Sequence, residues 1–285
     1  MTVGDFLIHI IYILEDCFGI LKVCIHQIRT RQFFRKMNTL YNKNKKIFIL
    51  ANGPSLATFN KENTLEGDIC TLNFSIITDI FYELKPQMHV FADSYFFYKT
   101  EEENTKVVYD AISNRIDWPI TIWVPYGVPK SFKQLCSKNR NVKLSFFTTS
   151  IWQNKSKSLE NLRFYMFDKG YIGPRHQNVV VSCIYCAIHQ NYKEIYLYGV
   201  DHDWLRTTYV GDDNVTYFVD SHYYGDNKTY WYDGNGEKMT LDVVLLCLSR
   251  MFKSYRDLQK YAEYKGDVKI VNRTKGSFID AFVRE

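Results

Sequence analysis

The sequence predicts a single α/β domain built on a doubly wound, mostly parallel β-sheet. Short, near-continuous hydrophobic runs alternate with segments of helical periodicity, and such runs are typical of strands that are covered on both faces. The chain has 285 residues, a length that suits one such domain with appendages. It contains no internal repeat and no low-complexity linker, so nothing in it marks a second domain.

Seven hydrophobic runs predict the strands, and six helical patterns predict the helices between them. The strands are expected at residues 47–51, 69–73, 89–93, 120–126, 142–148, 194–200 and 268–273. The helices are expected at residues 75–84, 101–115, 130–137, 158–169, 178–190 and 238–265. Because helices alternate with strands, consecutive strands are expected to run parallel to one another.

Residues 1–45 are predicted to form a helical arm ahead of the main domain, which spans residues 46–285. Residues 6–28 are apolar apart from Glu15, Asp16 and Lys22, so the arm is a poor candidate for a clean transmembrane span. An apolar helix followed by a basic segment favours an anchor on an anionic membrane surface, with the main domain cytoplasmic at the inner face of the membrane. A helix packed on the body or on a second protomer, and a true span, are the alternatives.

The positive charge of the chain is confined to this arm. The chain carries 36 Lys and Arg residues against 31 Asp and Glu residues, a net charge of +5. Residues 1–46 hold eight cations and three acids, which is the whole excess. Because the body is balanced, no nucleic-acid surface is expected. Seven scattered cysteines predict the reduced thiols of a cytosolic protein.

The first predicted strand leads directly into the turn Asn52-Gly53-Pro54-Ser55. In open α/β sheets, ligands bind beyond the carboxyl ends of the strands. Gly53 allows a ligand to approach the backbone closely, and Ser55 with the amides of the following turn suits a phosphate. An ordinary strand-to-helix turn is the alternative, because the turn matches neither the dinucleotide-binding nor the Walker fingerprint. Residues 202–236, rich in Asp, Tyr, Gly and Asn, lack periodicity and are predicted to form a lid loop.

Several segments, taken in order, resemble glycosyltransferase family 42, the bacterial sialyltransferases that use CMP-sialic acid. They are ANGPSL at residues 51–56, Asn73 at the end of the second strand, NYKEIYLYGVD at 191–201, Ser221-His222-Tyr223, and VKIVNRTKGSFIDAF at 268–282. The resemblance covers roughly residues 46–280. It implies a GT-A-like, Rossmann-type domain that transfers sialic acid or a related nonulosonate from a CMP-sugar to a hydroxyl of a cell-surface glycan.

The resemblance also implies the substrate-binding residues. Asn52 and Ser55 would hold the nucleotide, Asn73 would contact the donor, and the segment beginning at Gln177 would pass near the cytidine. Arg175 falls where the family has an arginine on the acceptor side. The expected donor site comprises Asn52, Gly53, Ser55, Asn73, Asp93, Gln177 and Asn178.

Two residues carry the implied catalysis. His222 matches the histidine proposed as the general base, and Tyr209 matches a tyrosine that hydrogen-bonds the leaving phosphate. A histidine suits the role of base because its unperturbed pKa, near 6.5, lets it accept a proton at neutral pH. The implied reaction inverts the anomeric carbon and needs no cofactor, since the CMP-sugar is a substrate. The expected partners are this donor, a glycan or lipid-linked oligosaccharide acceptor, the anionic membrane surface and, through a symmetric assembly, further copies of the chain.

The sequence departs from the family in two places. Asp201-His202-Asp203-Trp204 stands where the family has a second phosphate-binding tyrosine, and Asp93 stands in place of an asparagine. Asp201-x-Asp203 also has the form of a motif that holds a divalent cation, so a metal-dependent transferase of a UDP- or GDP-sugar is an alternative. A non-catalytic membrane-associated scaffold is another. A pyrophosphokinase with a similar turn is a third, although the chain lacks a clear phosphate-gripping lysine.

Overall fold

The computed structural model describes most of the chain, namely residues 2–29, 36–38, 45–60, 66–150, 152–153, 155–222, 225–233 and 235–285. Within these ranges, residues 58, 220–222 and 225–227 are described by their backbone alone. The side chain of His222 and the whole of Tyr223 therefore lie outside the described residues. The same holds for most of the basic segment that follows the N-terminal helix.

Eight parallel strands form the central sheet. The strands in chain order are β1 (Lys46–Leu50), β2 (Asp68–Leu72), β3 (Met88–Val90), β4 (Ile120–Pro125), β5 (Val142–Phe147), β6 (Glu194–Tyr198), β7 (Thr208–Val210), β8 (Thr216–His222), β9 (Gly225–Tyr230), β10 (Lys269–Asn272) and β11 (Val283–Arg284). The order across the central sheet is β11-β10-β6-β1-β2-β3-β4-β5. The predicted parallel α/β sheet is thus confirmed.

Helices cover both faces of the sheet, as a doubly wound fold requires. They are α1 (Val3–Arg29), α2 (Asp79–Leu84), α3 (Tyr95–Tyr98), α4 (Glu103–Asp110), α5 (Lys130–Ser137), α6 (Glu160–Asp168), α7 (Val179–His189), α8 (Trp204–Thr207) and α9 (Leu241–Lys265). Side chains of α7 and α9 pack in one core with Ile47 and Ile49 of β1, and those of α4 and α5 form a second core. Every residue of α7 is buried, so this helix lies at the centre of the domain.

The chain reverses its direction of travel across the sheet between β1 and β6. From β1 the strands proceed outward through β2, β3, β4 and β5, whereas from β6 they proceed the other way through β10 and β11. Loops that leave two adjacent strands in opposite directions leave a crevice at the carboxyl ends of those strands. The crevice therefore lies between the loops that begin at Ala51 and Gly199.

Residues 202–236 differ from the irregular loop that the sequence predicts. They contain α8 and an antiparallel sheet in which β8 pairs with both β7 and β9. Phe218 of β8 is buried, with its ring 4.7 Å from that of Trp231. Asp, Asn and Gly concentrate in the turn between β7 and β8, where Asn214 has a φ of 57°, and because this turn composition dominates the segment the sequence analysis did not predict the flanking strands.

The described part of the chain contains no helix that is both long and apolar enough to cross a membrane. This finding includes α1, in which Glu15, Asp16 and Lys22 interrupt the apolar sequence.

Three buried histidines predict that acid destabilises the protein. Burial lowers the pKa of His89 to about 3, of His189 to about 4 and of His202 to about 3. In the unfolded chain these histidines bind protons near pH 6.5, whereas in the folded chain they stay neutral until the pH is much lower. The free energy of unfolding therefore decreases as the pH falls below 6.5. Each histidine should lower the free energy of unfolding by about 1.4 kcal/mol per pH unit in this window.

Urea denaturation between pH 7 and 5 measures this effect. His89→Asn should reduce the slope of the unfolding free energy against pH by about one proton's contribution. Equal slopes in the parent protein and the variant would contradict a neutral, buried His89.

Candidate functional site

A cavity opens at the carboxyl ends of β1, β2 and β6, at the reversal point of the sheet. Its volume of about 200 Å³ far exceeds the roughly 15 Å³ that one water needs, so it admits a small organic ligand. The wall combines the loops after these strands with the start of α7 and one residue of β8. It consists of Ala51, Asn52, Gly53, Pro54, Leu72, Asn73, Asn178, Val179, Val180, Gly199, Asp201, His202, Asp203, Trp204, Thr207 and Val219.

The turn after β1 is pressed against the loop after β6. The Gly53 amide donates to the Gly199 carbonyl at 2.9 Å, and the Ser55 hydroxyl donates to Oδ2 of Asp201 at 2.7 Å. A Cβ atom on Gly53 would lie 2.0 Å from this carboxylate oxygen and 2.5 Å from the Gly199 carbonyl oxygen. Only glycine therefore fits at position 53. The hydrogen bond of Ser55 links the two loops. Ser55 does not line the cavity.

Two asparagines place amide groups in the wall. Asn73 directly follows β2 with a φ of 49°, and its buried Oδ1 accepts no hydrogen bond from the described residues. Asn178 caps α7, because its Oδ1 accepts the Val180 amide proton at 2.8 Å. The N-terminus of α7 thus faces the cavity with the positive end of the helix dipole, which favours an anion.

Asp201 and Asp203 both line the cavity, as the metal-dependent alternative requires. Carboxylate oxygens suit a hard cation such as Mg²⁺. One of the four oxygens accepts the Ser55 hydroxyl, and no third acidic, histidine or cysteine side chain completes a ligand set with them in the described part of the chain. No lysine or arginine is among the described residues that line the cavity with these two carboxylates.

His202 belongs to an aromatic wall on the same side. Its Nε2 lies 2.7 Å from the Tyr255 hydroxyl, and its ring centroid lies 4.8 Å from that of Trp204. Burial lowers the pKa of His202 to about 3, so the ring is neutral at physiological pH. A neutral ring bonded to a tyrosine supports the wall structurally and offers an apolar edge to a ligand.

Three further predicted residues lie outside the cavity wall. Asp93 lies two residues before α3 and its Oδ1 accepts the Tyr95 amide proton at 2.8 Å, whereas Gln177 is exposed. Arg175 is half-buried, and its pKa is lowered by burial and by the neighbouring positive charge of Arg250.

The two proposed catalytic residues lie on the antiparallel sheet. Tyr209 of β7 is 47% exposed, and its ring stacks on that of Tyr217 with centroids 5.6 Å apart. His222 ends β8, three residues after Val219 of the cavity wall. At about 3.3 Å per residue, its backbone lies roughly 10 Å farther along the strand. The role of His222 as the general base remains a prediction.

Sequence reasoning placed Asp201-His202-Asp203-Trp204 at the position of the second phosphate-binding tyrosine, but it gave His202 no role in the wall. The available signal was their place directly after β6, because residues that follow neighbouring parallel strands share one edge of the sheet. The sequence analysis did not predict Gly199 as a wall residue either. Its φ of 67° directs the chain after β6 toward the cavity.

An eight-stranded parallel sheet with a polar cavity at its reversal point defines a doubly wound α/β protein with a candidate ligand site. No protein-family model and no curated protein sequence matches the chain. Among solved structures, an alpha-2,3-sialyltransferase from Campylobacter jejuni in apo form is similar over 87% of this chain and 82% of its own, with 18% sequence identity and a TM-score of 0.44. At this identity and TM-score, the likeness assigns neither a substrate nor a catalytic residue.

Proposed function

We propose that the protein is a glycosyltransferase that transfers a nonulosonate, such as sialic acid, from a CMP-sugar to a hydroxyl of a cell-surface glycan. The observation that carries the proposal is the cavity wall, where Asn52, Gly53, Asn73 and Asn178 meet at the reversal point of the sheet. The ordered sequence motifs of residues 46–282 support the same donor.

The chemistry of this wall suits a nucleotide monophosphate. The amides at the N-terminus of α7 stabilise a single negative charge. The buried Oδ1 of Asn73 is an acceptor that awaits a donor, and the exocyclic amine of a cytosine is such a donor. Gly53 lines the cavity, so a ligand there would contact the backbone of this turn directly.

In the proposed reaction, the oxygen of the acceptor hydroxyl attacks the anomeric carbon of the donor. The bond between this carbon and the phosphate oxygen breaks, and CMP leaves with the bonding electrons. The imidazole of His222 takes the proton of the attacking hydroxyl, and Tyr209 stabilises the charge that develops on the leaving phosphate. Attack on the face opposite the leaving group inverts the anomeric carbon.

The two carboxylates favour a second candidate, a metal-dependent transferase of a UDP- or GDP-sugar. Asp201 and Asp203 line the cavity, and they would repel a diphosphate unless a cation lay between them. In that case these two residues would hold the cation, which would neutralise the diphosphate charge. The two candidates differ in their nucleotide and in their response to a chelator.

Thermal denaturation of the full-length protein with CMP, CDP, UDP, GDP or ATP, each with and without EDTA, separates the candidates. A ligand at 100 times its dissociation constant adds about 2.7 kcal/mol to the free energy of unfolding. We expect CMP to stabilise the protein equally well in EDTA. Asn73→Ala should weaken this stabilisation, whereas Asn114→Ala, a change at an exposed asparagine outside the cavity, should preserve it.

Other outcomes would overturn the proposal. Stabilisation by a nucleoside diphosphate only when metal is present would assign the site to the metal-dependent class. No stabilisation by any nucleotide would favour the non-catalytic scaffold. Stabilisation by CMP that is preserved equally in both asparagine variants would move the binding site away from the cavity.

A further inference from the structure

The carboxylate of Asp16 holds the N-terminal helix α1 against the body of the domain. Asp16 is only 1% exposed, although it lies in the middle of an apolar sequence. Its carboxylate accepts hydrogen bonds from the Trp152 indole at 3.1 Å, the Lys155 amide at 2.9 Å and the Ser156 amide at 2.7 Å. Hydrogen bonds to a buried carboxylate hold it in place, because breaking them leaves an unsolvated charge.

The rest of the contact follows one narrow stripe along the helix. We call this the docking stripe, and it consists of His9, Asp16, Ile20, Val23 and Gln27, spaced by seven, four, three and four residues. His9 bonds the Ser158 hydroxyl at 3.1 Å, and the Gln27 amide donates to the Tyr171 carbonyl at 2.7 Å. Such spacing keeps all five side chains on one side of a helix. The helix is therefore held against the body near both of its ends.

The remaining surface of α1 is apolar and exposed. Twelve large hydrophobic side chains are each more than a third exposed, and we call them the outer face: Val3, Phe6, Leu7, Ile8, Ile10, Ile11, Tyr12, Leu14, Phe18, Leu21, Ile25 and Ile28. This polarity is the reverse of an ordinary surface helix, which turns its apolar side inward. A contiguous apolar surface of this kind marks a contact with a partner or a membrane.

Two of the three acids of α1 are engaged with the body, and the third, Asp5, lies in the first turn of the helix. Between Phe6 and Leu21 the sequence has two acids, Glu15 and Asp16. Glu15 pairs with Lys155 of the body at 2.9 Å, and Asp16 is buried in the docking stripe. The outward surface over this length is therefore free of unpaired negative charge in the described structure.

Cations follow directly after the apolar part. The sequence from residue 22 to residue 46 contains eight Lys and Arg residues and no acid. The Lys22 ammonium lies 4.6 Å from the ring centroid of Phe18, at the edge of the outer face. Each such cation near an anionic membrane contributes about 1 kcal/mol to binding. A second copy of the chain would bring the same excess of cations and no compensating charge.

From this inverted polarity we propose that α1 lies flat on a bilayer that contains anionic lipids, with its outer face in the acyl boundary and its docking stripe fixed to the domain. The helix of 27 residues has a length of about 40 Å. Because α1 is held along this length, the domain would keep one orientation relative to the bilayer. This inference does not depend on the proposed transferase activity.

Sedimentation of the full-length protein with vesicles tests the proposal. We expect binding to phosphatidylcholine vesicles that contain about 30% phosphatidylserine and weaker binding to phosphatidylcholine alone. The double variant Leu14→Glu with Phe18→Glu should reduce binding about tenfold or more, because it places charges in the acyl boundary. Both side chains are more than half exposed, so the fold should tolerate the change.

A matched control is the double variant Leu245→Glu with Leu246→Glu, which adds the same charges to exposed leucines of α9 and should bind like the parent protein. Equal binding by the two double variants would overturn the proposal. The proposal would also be overturned if the parent protein did not bind vesicles but formed a dimer, and if the α1 double variant abolished this dimer. The outer face would then contact a second copy of the chain.

Discussion

The variant His222→Ala is expected to lose sugar transfer by a factor of roughly 10² to 10⁴, the usual contribution of a general base. The reason is that the attacking hydroxyl would have to lose its proton to water in place of a positioned imidazole. Stabilisation by CMP should stay at the parent level, because a base acts on the acceptor and not on the nucleotide. Release of CMP from CMP-sialic acid, with and without an oligosaccharide acceptor, measures the rate.

The control for this experiment is His26→Ala, which removes an exposed histidine of α1 and should retain the parent rate. A rate of the His222 variant within a factor of a few of the parent would remove His222 from the mechanism. A loss of CMP stabilisation together with activity would indicate a structural role for this residue.

The strands of the domain could be predicted from the sequence because their signal is local. Each of the seven predicted hydrophobic runs overlaps a strand of the parallel sheet, as at β1 and β6. The short strands β7 and β11 were missed, since two or three residues are too few to show a period. Their pairing depends on neighbours that come from elsewhere in the chain.

The candidate site could be predicted only in part, because position after a strand does not decide where a side chain lies. Asn52, Gly53, Asn73 and Asn178 line the cavity, as their places at the strand and helix ends suggest. Ser55, by contrast, is drawn away by its hydrogen bond to Asp201. The sequence contains no indication of that bond, since 146 positions separate the two residues.

The same limit applies to the N-terminal arm. Composition indicates an apolar helix that contains two acids. It does not decide whether this helix anchors the protein on a membrane surface, packs on the body or spans a membrane. The structure resolves part of this ambiguity, because the burial of Asp16 by Trp152 and two backbone amides orients the helix on the body. Packing on the body is thus present, and only one side of the helix takes part in it.

A buried ion pair between α6 and α9 should have the largest effect on stability. Arg163 and Asp257 are 1% and 7% exposed at their side chains, with Nη1 and Oδ2 2.7 Å apart. The Arg163 guanidinium and the Lys253 ammonium hold the pKa of Asp257 below its usual value, although burial opposes them. Asp257→Asn should lower the free energy of unfolding by about 3–5 kcal/mol, because it leaves the arginine charge buried and unpaired.

Urea denaturation of a double-mutant cycle measures this coupling. Arg163→Met combined with Asp257→Leu removes both charges of the buried pair and should cost less than Asp257→Asn alone, since the charge that then lacks its partner, Lys253, is 40% exposed at its side chain. As a control, Glu103→Gln breaks the exposed pair with Lys106 and should cost at most about 1 kcal/mol. If Asp257→Asn costs no more than this control, the pair is solvated in solution, and the packing of α9 against α6 must rest on apolar contacts such as that between Phe164 and Tyr261.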